Sequence, residues 1–167
     1  DLDESLALHS SAPYNRGLRG MAYEGLERYE EALQEFIVRH HQSVERGPQK
    51  SRAGIKVWDL SRKVPGYDAK VIRSIELLLE QNESWGGWLV RGAWLHLKAG
   101  DVPAATQKLS RATPLFEEQD DLKPLKPRFE ALSDAVKERG KDALPHAKSL
   151  VDELERLRLK RTDKTRP

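Results

Sequence analysis

Cysteine is absent from this chain, methionine occurs once, and no apolar run is long. The lack of cysteine removes disulfide frameworks, thiol nucleophiles and thiolate metal sites from consideration. It does not choose a compartment: the cytoplasm is favoured, with periplasm and secretion left open. The longest apolar stretches, such as Leu77 to Leu79, fall far short of the roughly 20 residues that a membrane span needs. No signal-peptide pattern opens the chain, and its first residue is Asp1 rather than Met, so the natural chain is expected to extend upstream. Net charge is small as well, +2 from 29 basic and 27 acidic residues, so nucleic acid is not an expected partner.

Catalytic fingerprints are missing too. There is no Walker loop, Rossmann glycine pattern, GxSxG or HExxH, and the reading is of a non-enzyme without cofactor. The five histidines show no metal-site spacing. His40 and His41 are adjacent, so on a helix their side chains diverge by about 100° and cannot easily share an ion. His9, His96 and His146 lie far apart, and His96 is expected to be packed and hydrogen-bonded rather than metal-binding. Glu30, Glu31 and Glu35 form one solvated helix face opposite Ala32, Leu33 and Phe36, not a pair of catalytic carboxylates.

What remains is helix-forming. Leu, Ala, Glu, Lys and Arg are abundant, 34% of residues are charged and 7% aromatic, a balance that favours helix over sheet. A chain of 167 residues suits one domain, able to bury about 70% of the surface its unfolded form exposes. Glycines punctuate it: Gly66 and Gly100 lie 34 apart, and Gly140 follows 40 later. Each sits between two helical patterns, in "SRKVPGYDAKVIRSI", "HLKAGDVPAATQKL" and "KERGKDALPHAKSL". A glycine there suits the left-handed residue that closes a helix, and Asp101 or Asp142 can cap the next. Apolar residues recur at helical spacing on both sides: Ile55 and Trp58, then Leu89, Gly92, Ala93 and His96, then Phe129, Leu132 and Val136 before the glycines. Val71, Ile75, Leu78 and Leu79, then Ala105, Leu109 and Ala112, then Leu144, Ala147, Val151 and Leu154 follow them. The chain therefore reads as helical hairpins.

The stretch "YNRGLRGMAYEGLERYEEALQEF" resembles a tetratricopeptide (TPR) repeat. Gly20, Tyr23, Ala32 and Phe36 fall where that repeat carries its small residue, aromatic, alanine and large apolar residue, and "KAGDVPAA" resembles its usual turn. The resemblance implies an all-α protein, a right-handed solenoid of antiparallel hairpins (a TPR-like superhelix) forming a single domain over 1–167. Hairpins are expected at 13–50, 51–85, 86–119 and 126–160, with 1–12 ending a preceding repeat or forming a cap, and 161–167 a basic tail. Three residues depart from the pattern: Glu27 stands where the turn glycine belongs, Asp59 in an inward column, and Pro145 where the second helix takes alanine. "RGPQK" and "DDLKPL" interrupt the spacing, and Pro124 with Pro127 bars a continuous helix there.

In such arrays the first helix of each hairpin lines the concave face. On that frame the face carries Tyr14, Leu18, Met21 and Glu24, then Lys56, Val57, Leu60 and Lys63, then Val90, Arg91, Trp94 and Lys98. Glu130, Asp134, Lys137 and Glu138 follow in the fourth hairpin. Apolar anchors beside cations imply a protein or peptide partner with large apolar side chains and acids. The module is then a protein-interaction scaffold; the alternatives are a ligand-sensing regulatory domain and self-association of the array. The six basic residues from Arg156 to Arg166 read as the solvated end of a terminal helix.

Overall fold

The computed structural model describes residues 13–42, 48–80 and 85–164, and every regular element among them is helical. The chain divides into two compact units, residues 1–81 and 82–167.

Unit 1 holds α1 (Pro13–Gly25), α2 (Tyr29–Gln42), α3 (Pro48–Ser61) and α4 (Asp68–Leu79). Helix α2 is its centre and packs on α1, α3 and α4. It buries Ala32, Leu33, Phe36 and Ile37 on one side. Its first turn carries Glu30 and Glu31 and its last Arg39, His40 and His41, charges of the sign the helix dipole favours at each end. Helix α1 comes close because Gly17 and Gly20 face α2; a Cβ on Gly20 would stand 2.9 Å from the Phe36 ring. The α1–α2 turn is a Schellman motif: Arg28 N–H donates to Tyr23 O at 2.9 Å and Glu27 N–H to Glu24 O at 3.1 Å. Its left-handed residue is Glu27, with φ 59°. The residue standing in the glycine column thus takes the glycine conformation.

Helix α3 buries Trp58, as its apolar spacing suggests, but turns Val57 and Leu60 inward beside it rather than Ile55. Ala53, Val57, Trp58 and Leu60 are buried, while Ile55 and Asp59 are only partly covered. Val57 and Leu60 therefore leave the open face assigned to them, and Asp59 leaves the core column. A buried polar contact ties α2 to α4. The His40 ring, fully enclosed, has Nε2 2.8 Å from Ser74 O, and Gly54 of α3 leaves room for it, since a Cβ there would stand 3.0 Å from the ring.

Unit 2 holds α5 (Gly86–Lys98), α6 (Val102–Glu118), α7 (Lys126–Arg139) and α8 (Leu144–Lys164), with 3-10 turns at Lys123–Leu125 and Gly140–Ala143. The α5–α6 turn repeats the Schellman pattern with Gly100 at φ 81°, and Asp101 then caps α6 by accepting from Ala104 N–H at 3.0 Å. Gly66 and Gly140 also have positive φ, 93° and 58°. The "DDLKPL" insertion folds into the first 3-10 turn and buries Leu122 and Leu125. Across α6 and α7, Phe116 stacks on Phe129 with ring centroids 4.2 Å apart.

Neighbour relations in unit 2 form a ring: α5 packs on α6 and α8, and α7 packs on the same two helices. Covered from two sides, α5 buries Trp88, Leu89, Val90, Arg91, Ala93, Leu95 and Leu97. A helix enclosed on most of its surface needs such an all-round apolar sequence. Val90 and Arg91 are consequently not on an open face, because α8 lies over α5.

Candidate functional site

Packing α1 against α2 through Gly17 and Gly20 leaves the opposite side of α1 outward. Tyr14, Leu18 and Met21 recur there at the i, i+4, i+7 spacing of one helix stripe and are 64%, 43% and 56% exposed. Leu26, at the end of the helix, is 65% exposed and escaped the sequence pattern because it falls outside the hairpin columns. On the flank of α1 nearer α2, Arg16 and Arg19 share the Glu35 carboxylate at 3.4 and 2.7 Å.

The other flank of the stripe is polar. Lys56 Nζ of α3 donates to both Glu24 carboxylate oxygens, at 2.8 and 2.6 Å, so one turn beyond Met21 an ion pair bridges α1 and α3. Lys63, in the turn after α3, is exposed and rests its ammonium 3.9 Å from the Tyr29 ring centroid. Arg52, one turn before Lys56, is exposed as well. Of the unit 1 residues assigned to the binding face, Tyr14, Leu18, Met21, Lys56 and Lys63 reach solvent. Leu60 does not.

Of the α5 residues assigned to the face, Trp94 and Lys98 reach solvent, and Val90 and Arg91 do not. Trp94 is partly exposed, and the Lys98 ammonium lies 5.7 Å from its ring centroid. Arg91 is 4% exposed and gives Nε and Nη2 to Glu155 of α8 at 2.7 and 2.6 Å. The same carboxylate accepts from Arg158 Nε at 3.1 Å and Nη2 at 2.9 Å. This arginine–glutamate–arginine triad ties α5 to α8, with Arg91 and Glu155 buried and Arg158 partly covered. Its signal in the sequence is an arginine in the middle of an otherwise apolar helix, which demands an acid, and a glutamate beside Leu154 and one turn after Val151.

His96 sits at the end of α5 with Nδ1 3.4 Å from Asp101 Oδ2, partly covered. Glu130, Asp134, Lys137 and Glu138 of α7 are all exposed or nearly so. Groups with displaced titration lie in exposed pairs. The α2 backbone at Glu31 itself and the Arg28 guanidinium hold the Glu31 carboxyl below its usual value, Lys123 does so for Asp120, and Glu117 raises the Lys126 ammonium. The hydrogen bond to Glu30 raises the Tyr67 hydroxyl. Among the described residues no group of three or more His, Asp and Glu side chains converges on a point that could hold a metal ion, and no helix is long and apolar enough to cross a membrane. Comparison with known proteins gives no match, whether to a family model, a curated protein or a solved structure.

Proposed function

We propose that unit 1 is a TPR-like protein-interaction module, and that the α1 stripe docks a partner segment bearing large apolar side chains and carboxylates. The observation that carries this reading is the stripe itself: three large apolar side chains on successive turns stand in solvent, on a helix whose opposite face is packed. Contiguous exposed apolar surface rimmed by polar groups is characteristic of interaction sites, and tyrosine is enriched among residues that dominate binding energy. The cations Arg52 and Lys56 of α3 and Lys63 of the turn after it outnumber the nearby acids Glu24 and Asp59 and favour an acidic partner.

The repeat reading draws its support from unit 1, where hairpins α1–α2 and α3–α4 share α2 as a common neighbour. In unit 2 the return of α8 onto α5 removes the open helix face a solenoid would present. The solenoid reading is therefore confined to unit 1. A second reading, a ligand-sensing domain, is favoured by a cleft in unit 2.

The test is selection from a displayed peptide library on the immobilised whole chain. Enriched peptides are expected to pair two or more large apolar residues with Asp or Glu, and to lose binding to the Leu18→Glu, Met21→Glu double variant. Enrichment of basic peptides, or binding unaffected by the double variant, overturns the proposal.

A further inference from the structure

Helix α1 has 13 residues and is about 20 Å long. Its outward stripe runs Tyr14, Leu18, Met21, and the next position of the same series is Gly25. The steps are four, three and four residues, the spacing of the seam by which one helix packs lengthwise on another. Gly25 is exposed, and among the described residues a Cβ there meets nothing within 4 Å. The seam therefore runs out at a position without a side chain, with exposed Leu26 beside it.

The backbone of α1 limits what can lie on this stripe. Its interior N–H and C=O groups are bonded within the helix, and the Schellman turn engages the carbonyls of Tyr23 and Glu24 at its end. An extended segment finds no strand edge to pair with, and its own N–H and C=O groups lose water against the apolar side chains without gaining a partner. A helix carries no such penalty, because its backbone is already bonded to itself. The groups flanking the stripe are side chains held in ion pairs, Arg16 and Arg19 on Glu35 and Lys56 on Glu24. They meet a partner's side chains rather than its main chain.

Area narrows the choice further. One helix laid along about 20 Å of stripe buries well under the roughly 1,200 Å² of a stable interface. That is too little to hold a second copy of the chain by this face alone, and it suits a transient partner.

We propose that the segment docking on α1 is an amphipathic α-helix, aligned along α1 with apolar residues at alternating steps of three and four. One of its large side chains lies over Gly25, and its acids fall on the flank toward α3, where Arg52 and Lys56 stand beside Glu24. This rests on the docking reading of the α1 stripe and adds the partner's conformation and register.

The experiment compares three fluorescein-labelled peptides of roughly 18 residues, about five turns, on the whole chain by anisotropy. The helical probe has leucine at alternating steps of three and four, glutamate along one flank and alanine elsewhere. The second peptide has the same composition with leucine at every second position, the period of a strand. The third is the helical probe with a central proline, which breaks the helix. The helical probe is expected to bind with a dissociation constant on the order of 10–100 μM, and the other two at least about tenfold more weakly. Leu18→Glu is expected to weaken the helical probe at least about tenfold. Gly25→Leu, which continues the seam and replaces a helical glycine, is expected to tighten it by roughly tenfold and to leave the alternating peptide unchanged.

Equal affinity for the three peptides, or equal tightening of helical and alternating peptides by Gly25→Leu, overturns the helix and leaves peptide docking in place. So does a library-selected peptide that binds the stripe while the helical probe does not. If no peptide binds, designed or selected, the docking reading falls and the helix with it. A Met21 methyl signal that shifts with chain concentration before any peptide is added assigns the face to a second copy and overturns both.

Discussion

Replacing Glu27 by glycine is expected to stabilise unit 1. Glu27 holds φ 59° at the position of a Schellman turn where Gly100 holds φ 81° in unit 2, and the two turns share the same pair of backbone bonds. An L-residue in the left-handed region costs about 1–2 kcal/mol, and glycine relieves that while losing about 0.5–1 kcal/mol of chain entropy. The difference is a net gain of about 0.5–1 kcal/mol. The Glu27 side chain is exposed, so little packing is lost with it. For a cooperative unit of roughly 60–100 residues that gain raises Tm by roughly 3–6 °C. Calorimetry of the whole chain, with Glu27→Ala as control for loss of the carboxylate, measures it: alanine keeps the strained φ and is expected to leave Tm nearly unchanged. The reciprocal change, Gly100→Ala, is expected to cost unit 2 about 0.5–1 kcal/mol by the same balance. A Glu27→Gly variant no more stable than Glu27→Ala would refute the reasoning, since backbone conformation would then not be what the position resists.

Glu155→Leu is expected to destabilise unit 2 by about 3–5 kcal/mol, because the Arg91 guanidinium stays buried without that carboxylate, and Arg91→Met by less, because Glu155 keeps Arg158. The double variant should recover much of the loss, with a coupling of about 1–3 kcal/mol in urea titrations; strict additivity would mean that the two side chains do not share one buried network. Gly20→Ala forces Phe36 or α1 to shift. It is expected to cost about 1–3 kcal/mol, read as a lower urea midpoint with unchanged slope.

The hairpin turns were legible because few residues tolerate positive φ. Gly66, Gly100 and Gly140 could be placed from the sequence, and Glu27 from the column it takes in the resemblance to a TPR repeat. The columns of the first hairpin were equally plain: Gly20, Ala32 and Phe36 are all buried where α1 and α2 cross. Helix α3 was not. In "IKVWDLS" apolar residues fall on several faces, and nothing polar breaks the tie between Ile55 inward and Val57 with Leu60 inward. Only packing against its neighbours α2 and α4 decides it. The fate of Val90 and Arg91 depended on which helix covers α5. Repeat logic considers helices adjacent in the chain, whereas α8 arrives from 64 residues further on, Glu155 against Arg91. Tyr14, Leu18 and Met21 lie on a helix edge that stays free and are exposed, whereas Val90 and Arg91 are covered where a distant segment returns.

Met21 allows the central claim to be tested at one atom. It is the chain's single methionine and stands 56% exposed in the middle of the α1 stripe, so methyl-¹³C-methionine labelling yields one signal from the proposed docking face. An acidic, apolar-anchored peptide selected on the whole chain is expected to shift that signal saturably, with the same dissociation constant as fluorescence anisotropy reports. A Met21 signal that stays in place while anisotropy shows the peptide fully bound would contradict the account.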